Sequence, residues 1–207
     1  MDQSILTTET MVRPTETDCA ADGRRLRSER SRKAIVAALM SLIRKGETMP
    51  SAERVAEEAN IGLRTVFRQF DDMDRLYQEV IEQIDAEIAP LLEAPYTATD
   101  CCGMVSELIE RRAKIFELVM PFKLQAGARQ LQSAYLQEMH RCAVDAETAL
   151  LVELLPPAVC EDETLFAALS ASLSLDVWVR LRKDQNKTPE EAAKVMHRTA
   201  DALLLGV

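Results

Sequence analysis

The sequence predicts an all-α protein with a small N-terminal and a larger C-terminal helical domain. Apolar residues recur three and four positions apart through most of the chain, which is the period of a helix with one buried face. Hydrophobic residues make up 47% of the 207 positions, with only 6 glycines and 8 prolines. Neither an alternating strand pattern nor an internal repeat is found. A chain of this length can bury a sizeable core.

Residues 1–23 differ from the rest of the chain. They are rich in Thr, Asp and Glu without an apolar period, so we predict a disordered tail that is neither signal peptide nor anchor. No apolar run of about 18 residues follows, which argues against a membrane span. The five cysteines are an odd number without metal-ligand spacing. We therefore expect a cytoplasmic protein without a cofactor or a bound metal.

The net charge of −9 is unevenly distributed. Residues 1–23 carry one basic and five acidic side chains, residues 24–76 carry 12 basic and 8 acidic, and residues 77–207 carry 12 basic and 21 acidic. Screening confines the attraction between charges to about 8–10 Å at physiological salt, so local charge decides which surface attracts phosphates. This distribution of charge indicates a basic N-terminal domain, the head (24–76), followed by an acidic C-terminal domain, the body (77–207).

The first predicted helix covers about 28–45. Ile35 and Leu39 lie on one apolar face, and Ser28 is the expected N-cap. Gly46 follows two basic residues, which is the usual composition of a helix end. We expect this helix to support the two shorter helices that follow it.

Two short helices joined by a tight turn are predicted within residues 51–70. Ser51 is suited to cap the first helix, and Asn60 to adopt the left-handed conformation that ends it. The second helix is expected over 63–69, after Gly62. A helix-turn-helix needs this arrangement, because its first helix crosses the DNA backbone and its second enters the major groove.

The second of these helices has two different sides. Val66 and Phe70 lie four residues apart on an apolar side, whereas Arg64 and Arg68 lie four apart on another side. The apolar pair is expected in the core, and the arginines are then available to DNA. A surface hairpin whose arginines are merely solvated is the alternative.

The apolar and small residues of 28–80 follow a recognisable order. It runs Ala34, Ile35, Ala37, Ala38, Leu39, Gly46, Ser51, Val55, Ala56, Ala59, Ile61, Gly62, Thr65, Val66, Phe67, Phe70 and Leu76. This order resembles the TetR family of dimeric transcriptional regulators. The resemblance implies an N-terminal three-helix helix-turn-helix DNA-binding domain (24–76) and a C-terminal helical effector-binding and dimerisation domain (77–207). It also implies ligand-responsive control, by repression, of a palindromic double-stranded DNA operator.

Base readout is assigned first to Arg64, because a guanidinium can bond both guanine acceptors of the major groove. Thr65 and Leu63 suit a thymine methyl group or a phosphate, and Arg68 lies one turn further on. A basic arm before the first helix is expected to touch phosphates or the minor groove, although a solvated helix start fits equally well. The predicted DNA-binding residues are Arg24, Arg25, Arg27, Thr48, Ser51, Gly62, Leu63, Arg64, Thr65, Phe67, Arg68 and Gln69.

Two positions depart from the family pattern. Phe67 stands where the resemblance implies a tyrosine that bonds phosphate, and Met73 where it implies a lysine. Both departures imply weaker anchoring to the DNA backbone, and they keep open an interaction protein that retains the fold without reading DNA. An enzyme is the other alternative, but His140 and His197 are the only histidines and no catalytic motif surrounds them.

Prolines and caps divide the C-terminal part into predicted helices. Pro90 is expected to mark the end of the connecting helix and Pro121 to precede a short helix. Thr188 is expected to begin the last helix with a capping box. Helices are predicted over about 71–88, 101–120, 129–155, 161–183 and 188–205.

The last two predicted helices are suited to a homodimer interface, in which two helices from each subunit would form a four-helix contact. The first of them, from about 163, combines Leu165, Leu169, Leu173 and Trp178 with small residues that let helices approach closely. Packing within one chain is the alternative. In a dimer, two heads roughly 34–36 Å apart could read half-sites one turn of DNA apart.

Methionine and aromatic residues of the body suit an adaptable apolar pocket, although such residues more often form a core. The acidic body favours a hydrophobic or cationic small-molecule effector. Cys101 and Cys102 are considered as a redox sensor, since a helix start can lower the pKa of a thiol. The predicted ligand-binding residues are Met104, Phe116, Met120, Phe122, Tyr135, Met139, His140 and Trp178.

Overall fold

The computed structural model describes residues 16–47, 50–130 and 133–205, without the side chains of 16–24, 126 and 128–130. Two predicted DNA contacts, the side chain of Arg24 and the whole of Thr48, lie outside this description. The described residues are all-helical, as predicted, and contain no strand. The helices are α1 (Glu16–Arg44), α2 (Ala52–Glu58), α3 (Leu63–Gln69), α4 (Met73–Glu93), α5 (Cys101–Gln130), α6 (Ala134–Leu154), α7 (Pro157–Glu161), α8 (Glu163–Ser172), α9 (Leu175–Val179) and α10 (Pro189–Leu204), with a π-helical turn at Arg180–Asp184.

Helix α1 begins earlier than predicted. It starts at Glu16, so residues 16 to 23 of the predicted tail are helical, and residues 1–15 of that prediction lie outside the described residues. Extending an existing helix costs less than nucleating one, and no proline opposes it there. The other end confirms the sequence prediction: Gly46 has a φ of +85°, and its N–H donates to the carbonyl of Ile43 at 2.9 Å. Glycine adopts this φ without strain and so ends the helix.

Helices α2 and α3 confirm the predicted helix-turn-helix geometry. Ser51 caps α2, its hydroxyl accepting a first-turn N–H at 3.3 Å. Asn60 has a φ of 53°, and the N–H groups of Asn60 and Ile61 donate to the carbonyls of Glu57 and Ala56 at 3.0 Å each. These bonds satisfy carbonyls that the end of α2 leaves free. Helix α3 covers the predicted residues.

Buried apolar side chains form two clusters, one under α3 and one in the C-terminal half. The head cluster consists of Ile35, Val36, Ala38, Leu39, Met40, Leu42, Ile43, Val55, Ala56, Val66, Phe70, Leu76, Tyr77, Val80, Ile84, Phe122 and Leu136. The body cluster consists of Val105, Leu108, Ile109, Ile115, Phe116, Met120, Leu151, Leu154, Leu155, Val159, Leu169, Leu173, Leu175, Trp178, Leu181, Ala192, Ala193, Met196 and Ala200. Helices α5 and α6 thus contribute one side chain each to the head cluster.

Two prolines lie inside helices that they were predicted to interrupt. Helix α4 continues past Pro90, and α5 runs without a break past Pro121. A proline inside a helix costs about 3 kcal/mol, because it removes a hydrogen bond and crowds the preceding turn. Beside Pro121, Met120 is buried in the body cluster and Phe122 in the head cluster, and this burial offsets the cost. Pro90 is exposed in the last turn of its helix.

Helix α6 begins later than predicted, and a helix that was not predicted follows it. Ser133 caps α6 by accepting the N–H of Leu136 at 3.2 Å. Pro156 lies just beyond the end of α6, as expected. Pro157 then occupies the first position of the short helix α7, where a proline needs no hydrogen bond.

The helix predicted over 161–183 is divided into α8, α9 and the π-helical turn. Ser174 begins α9 by accepting the N–H of Val177 at 3.3 Å, so it acts as a new N-cap in the middle of the predicted helix. The capping box predicted for α10 is confirmed. The Thr188 hydroxyl accepts the Glu191 N–H at 3.2 Å, and the Glu191 carboxylate accepts the Thr188 N–H at 2.9 Å.

The large residues predicted at a dimer interface lie inside the chain. Leu169, Leu173 and Trp178 are fully buried in the body cluster, and Leu165 is half-buried against it. The interface role predicted for the three buried side chains is therefore wrong, and packing within one chain is correct. The reason is that α8 packs against α10 and α9 against α5, so these side chains face the inside of the chain.

Two further observations concern the described part of the chain. It holds no single helix long and apolar enough to cross a membrane. Helix α8 and the helical segment Leu175–Asp184 reach that length and composition only when taken together, and they are bent by 42° where they meet. Nor do its His, Cys, Asp and Glu side chains form a group of three that could hold a metal ion.

Candidate nucleic-acid interface

Helix α3 exposes its charged side to solvent. Val66 and Phe70 are buried in the head cluster, as predicted. Arg64, Phe67 and Arg68 are exposed. Since successive residues are rotated by about 100°, the two arginines lie opposite Val66, with Phe67 on one flank. In the described part of the chain, neither arginine has a carboxylate within salt-bridge distance.

A groove of about 600 Å³ lies between α1 and the turn that precedes α3. Arg27 of α1 and Arg68 of α3 both line it, together with three Ser and Thr residues. The guanidinium and hydroxyl groups of Arg, Ser and Thr side chains commonly bind DNA phosphates. The groove is lined by Arg27, Ser28, Ser31, Ile61, Gly62, Thr65 and Arg68.

Arg32 of α1 fixes the C-terminal end of α3. Its Nη1 donates to the main-chain oxygen of Gln69 at 2.8 Å, and its guanidinium carbon lies 4.5 Å from the ring centroid of Phe70. The same guanidinium forms a salt bridge with Glu79 of α4. One half-buried side chain therefore joins α1, α3 and α4, and it satisfies a carbonyl at a helix end.

Ser28 and Gln69 form a second link between α1 and α3. The Ser28 hydroxyl lies 3.0 Å from Nε2 and 3.1 Å from Oε1 of Gln69. The sequence assigns the Gln69 amide to a phosphate, but here it is bonded within the protein. Ser28 was not among the predicted contact residues. Its position one residue after Arg27, on the face of α1 that continues to Ser31, was the available signal.

Other basic residues of the head are neutralised by carboxylates. Arg54 bonds Glu47 at 2.8 Å, and Lys45 bonds Glu58 at 2.6 Å. Two hydrogen bonds, one from Lys45 with the larger effect and one from Ser41, hold the pKa of the Glu58 carboxyl below its usual value. These pairs attach α2 to the turn that follows the end of α1.

The remaining predicted DNA-binding residues are spread over α1, the start of α2, and α3 with the turn before it. Gly62 and Thr65 line the groove, whereas Leu63 is half-buried against the head cluster. The Ser51 hydroxyl is occupied as a cap. Arg25 is exposed and lies 3.9 Å from Glu29 on the same helix.

Helices α4, α5 and α6 connect the head to the body. Arg44, at the end of α1, bonds both carboxylate oxygens of Glu87 on α4 at 2.9 and 2.6 Å. Its guanidinium carbon also lies 5.7 Å from the ring centroid of Phe122 on α5. The hydroxyl of Ser133, the cap of α6, donates to Asp74 in the first turn of α4 at 3.0 Å. A shift of α5 or α6 would therefore act on α4 and α1 directly.

The predicted effector-binding residues do not share one pocket. Phe116, Met120 and Trp178 are buried in the body cluster, where the Phe116 and Trp178 ring centroids are 6.0 Å apart. These three side chains therefore pack in the core, which was the alternative considered for them. Phe122 and Tyr135 pack instead on the head cluster. Three further candidates are half-buried: Met104, which packs on the body cluster, Met139 and His140.

Arg112 is the one buried charged residue in the described part of the chain, with 4% of its surface exposed. Its guanidinium donates to the carbonyls of Leu173 at 2.8 Å and Glu147 at 2.7 Å. Burial lowers the pKa of Arg112 and raises the pKa of the Glu147 carboxyl. Leu173 is the residue directly after α8, so Arg112 satisfies a carbonyl at the C-terminal end of that helix. The sequence placed Arg112 on α5 among apolar residues but did not single it out.

A second groove, of about 510 Å³, lies between α5 and α10. Beside it, Glu117 accepts hydrogen bonds from Trp178 Nε1 at 2.8 Å and from Arg182 at 2.7 and 3.0 Å. The hydrogen bond from Arg182, which has the larger effect, and the one from Trp178 hold the pKa of the Glu117 carboxyl below its usual value. None of the predicted effector-binding residues lines this groove, which is formed by Glu110, Ala113, Lys114, Glu117, Leu118, Pro189, Glu190 and Ala193.

Cys101 does not have the lowered pKa that the sequence led us to expect. Burial raises the pKa of the Cys101 thiol, and the neighbouring Cys102 and Asp100 raise it further. This is opposite to the lowered pKa that a thiol at a helix start was expected to have. A thiol with a raised pKa is less often the reactive thiolate.

This all-helical arrangement, with a helix-turn-helix at one end and a helical body at the other, is shared with a solved structure. The crystal structure of a transcriptional regulator from Rhodococcus sp. Rha1 superposes with a TM-score of 0.60 at 20% sequence identity, covering 84% of this chain and 96% of that chain. At this identity the likeness establishes a shared fold. No protein-family model matches the chain, and no curated protein matches it.

Proposed function

We propose that this protein is a ligand-responsive transcriptional regulator that binds double-stranded DNA through α3. The observation that carries the proposal is the exposed pair Arg64 and Arg68, four residues apart on a helix of the right length for the major groove. Arg64 reads a guanine, and Arg68 binds the backbone from the groove that it shares with Arg27. The fold shared with a transcriptional regulator supports this function.

We propose further that the protein acts as a homodimer in the cytoplasm. Leu169 of α8 is buried, but the outer side of α8 is formed by small exposed residues, Thr164, Ala167 and Ala171. Val195 on the neighbouring helix α10 and Leu205 just beyond its end are exposed apolar side chains, with 37% and 85% of their surfaces accessible. Small residues permit close packing of helices from two chains. A two-fold dimer then presents two copies of α3 to a palindromic operator.

The ligand response is assigned to the body. A hydrophobic or cationic effector there would act through α5 and α6, because Phe122 and Leu136 belong to the head cluster. An effector can change DNA affinity only by binding one arrangement of the heads more tightly than another. Repression follows if the arrangement without effector matches the half-sites.

The proposal is tested by selecting random duplex DNA with the purified full chain at low and at physiological salt. We expect enrichment of an inverted repeat. Bound to that duplex, the protein should lose affinity steeply as salt is raised, because phosphate contacts release counterions. The Arg68→Ala variant should have a shallower salt dependence than the matched exposed-arginine variant Arg180→Ala.

Failure to enrich any sequence at either salt concentration would contradict DNA reading by the unliganded protein. The alternative, an interaction protein that keeps the fold, predicts this result. It is kept open by Phe67, whose ring lacks the phosphate-bonding hydroxyl expected there, and by Met73.

A further inference from the structure

Phe67 is an apolar side chain on a charged surface. It is 57% exposed, and it lies on α3 three residues after Arg64 and one residue before Arg68. Exposing this much aromatic surface to water is unfavourable, and covering it on a ligand is favourable. The outward side of α3 therefore offers one apolar contact next to two cationic ones.

A phosphate is a poor match for Phe67, since a phenyl ring has no hydrogen-bond donor. The apolar group that the major groove offers is the C5-methyl group of thymine. The other two residues of α3 that the sequence assigns to such a methyl group are less available. Leu63 is half-buried against the head cluster, and Thr65 is half-buried in the groove beside α1.

We propose that Phe67 reads a thymine methyl group in each half-site, next to the base pair that Arg64 contacts. This inference rests on the proposed function, because it requires α3 in the major groove. The three residues from Arg64 to Phe67 advance about 4.5 Å along the helix axis. Base pairs are spaced by about 3.4 Å. The two side chains therefore reach neighbouring base pairs, and the operator contains a thymine beside a guanine-bearing pair.

The test replaces thymines by uracil, one position at a time, in the duplex that the wild-type protein enriches. Uracil keeps base pairing and all major-groove hydrogen-bonding groups, and it removes only the methyl group. Binding is measured by fluorescence anisotropy. We expect one position in each half-site at which uracil weakens wild-type binding about fourfold, the effect of losing one buried methyl group.

Variants of Phe67 assign that effect to the side chain. Phe67→Ala should bind the thymine duplex more weakly and respond to uracil at that position by less than about twofold, the usual limit for two changes that do not interact. Leu124→Ala, which removes an exposed apolar side chain of the body, should keep the full uracil response. Thermal unfolding of each variant checks that the fold is retained.

The outcomes separate the two proposals. If no duplex is enriched, the proposed function fails, and this inference fails with it. If a duplex is enriched but no uracil position weakens wild-type binding, only the methyl readout is overturned. Retention of the full uracil response by Phe67→Ala would overturn it too, and the equivalent Leu63→Ala and Thr65→Ala measurements would then identify the residue responsible.

Discussion

The Nη1 atom of Arg32 donates to the main-chain oxygen of Gln69, the last residue of α3, at 2.8 Å. The orientation of α3 therefore depends on a side chain of α1 that is not on the outward face. Replacing Arg32 by Ala should lower the free energy of unfolding by about 1.5–3 kcal/mol, the range for a hydrogen bond to a charged group. It should also weaken DNA binding, because α3 is less firmly held.

Urea unfolding and DNA titration of Arg32→Ala check this prediction. Arg180→Ala is the matched control, since it removes an exposed arginine of the body. Equal stability of the two variants would show that Arg32 does not fix α3.

Arg112 should be among the most important side chains for the stability of the body. Arg112→Ala leaves the carbonyls of Leu173 and Glu147 without their donor and opens a cavity in the body cluster. We expect a loss of about 2–6 kcal/mol, since each of the two buried carbonyls left without a donor costs about 1–3 kcal/mol. Chemical denaturation measures it. Lys114→Ala, an exposed neighbour on α5, should change stability by less than about 0.5 kcal/mol. Similar values for both variants would contradict this role.

Glu117 should make stability depend on acidic pH. The Arg182 hydrogen bond depresses the pKa of this carboxyl from its ordinary value of 4.5 in the folded state. A depressed pKa stabilises the fold above the unfolded value, and the contribution is lost as pH falls through the folded pKa. Glu117→Gln should therefore be less stable than the wild type at pH 7, and the difference should shrink below about pH 4.5.

Urea unfolding from pH 7 down to pH 3 tests this dependence. Glu93→Gln, which removes an exposed carboxylate at the end of α4, serves as the control. A Glu117→Gln difference that is independent of pH would argue that Glu117 acts by packing alone.

The proposed dimer should depend on the outer side of α8. A long charged side chain at Ala171 would prevent close packing there, so Ala171→Arg should sediment as a monomer at micromolar concentration. Ala143→Arg, at an exposed position of α6, should leave the wild-type dimer intact. Sedimentation velocity distinguishes the two. A monomeric wild type would contradict the dimer. A dimeric Ala171→Arg protein would show that the interface lies elsewhere.

Local signals in the sequence predicted the head more accurately than the body. Ser51, Asn60 and Gly46 end or begin helices through bonds to residues a few positions away, so their roles can be read without the fold. The same holds for the capping box at Thr188. Helix α3, enclosed by such signals, has the predicted bounds.

Errors arose where distant contacts override local preference. Pro121 was expected to interrupt a helix, but burial of Met120 and Phe122 in two clusters keeps that helix continuous. The burial of Arg112 was not predicted, because it depends on α5 meeting the end of α8. The break at Ser174 was not predicted either. In the candidate site, the two arginines of α3 were predictable from spacing. The link between Ser28 and Gln69, 41 residues apart, was not.

The central proposal is that α3 reads DNA sequence through Arg64. The most direct measurement is the ratio of affinities for the enriched operator and for a scrambled duplex, at one salt concentration, for the wild type, Arg64→Ala and Arg180→Ala. We predict that Arg64→Ala reduces this ratio by an amount equivalent to about 1–3 kcal/mol per half-site, the usual contribution of a bidentate arginine–guanine pair, while Arg180→Ala preserves it. An unchanged ratio for Arg64→Ala would contradict base readout by this residue.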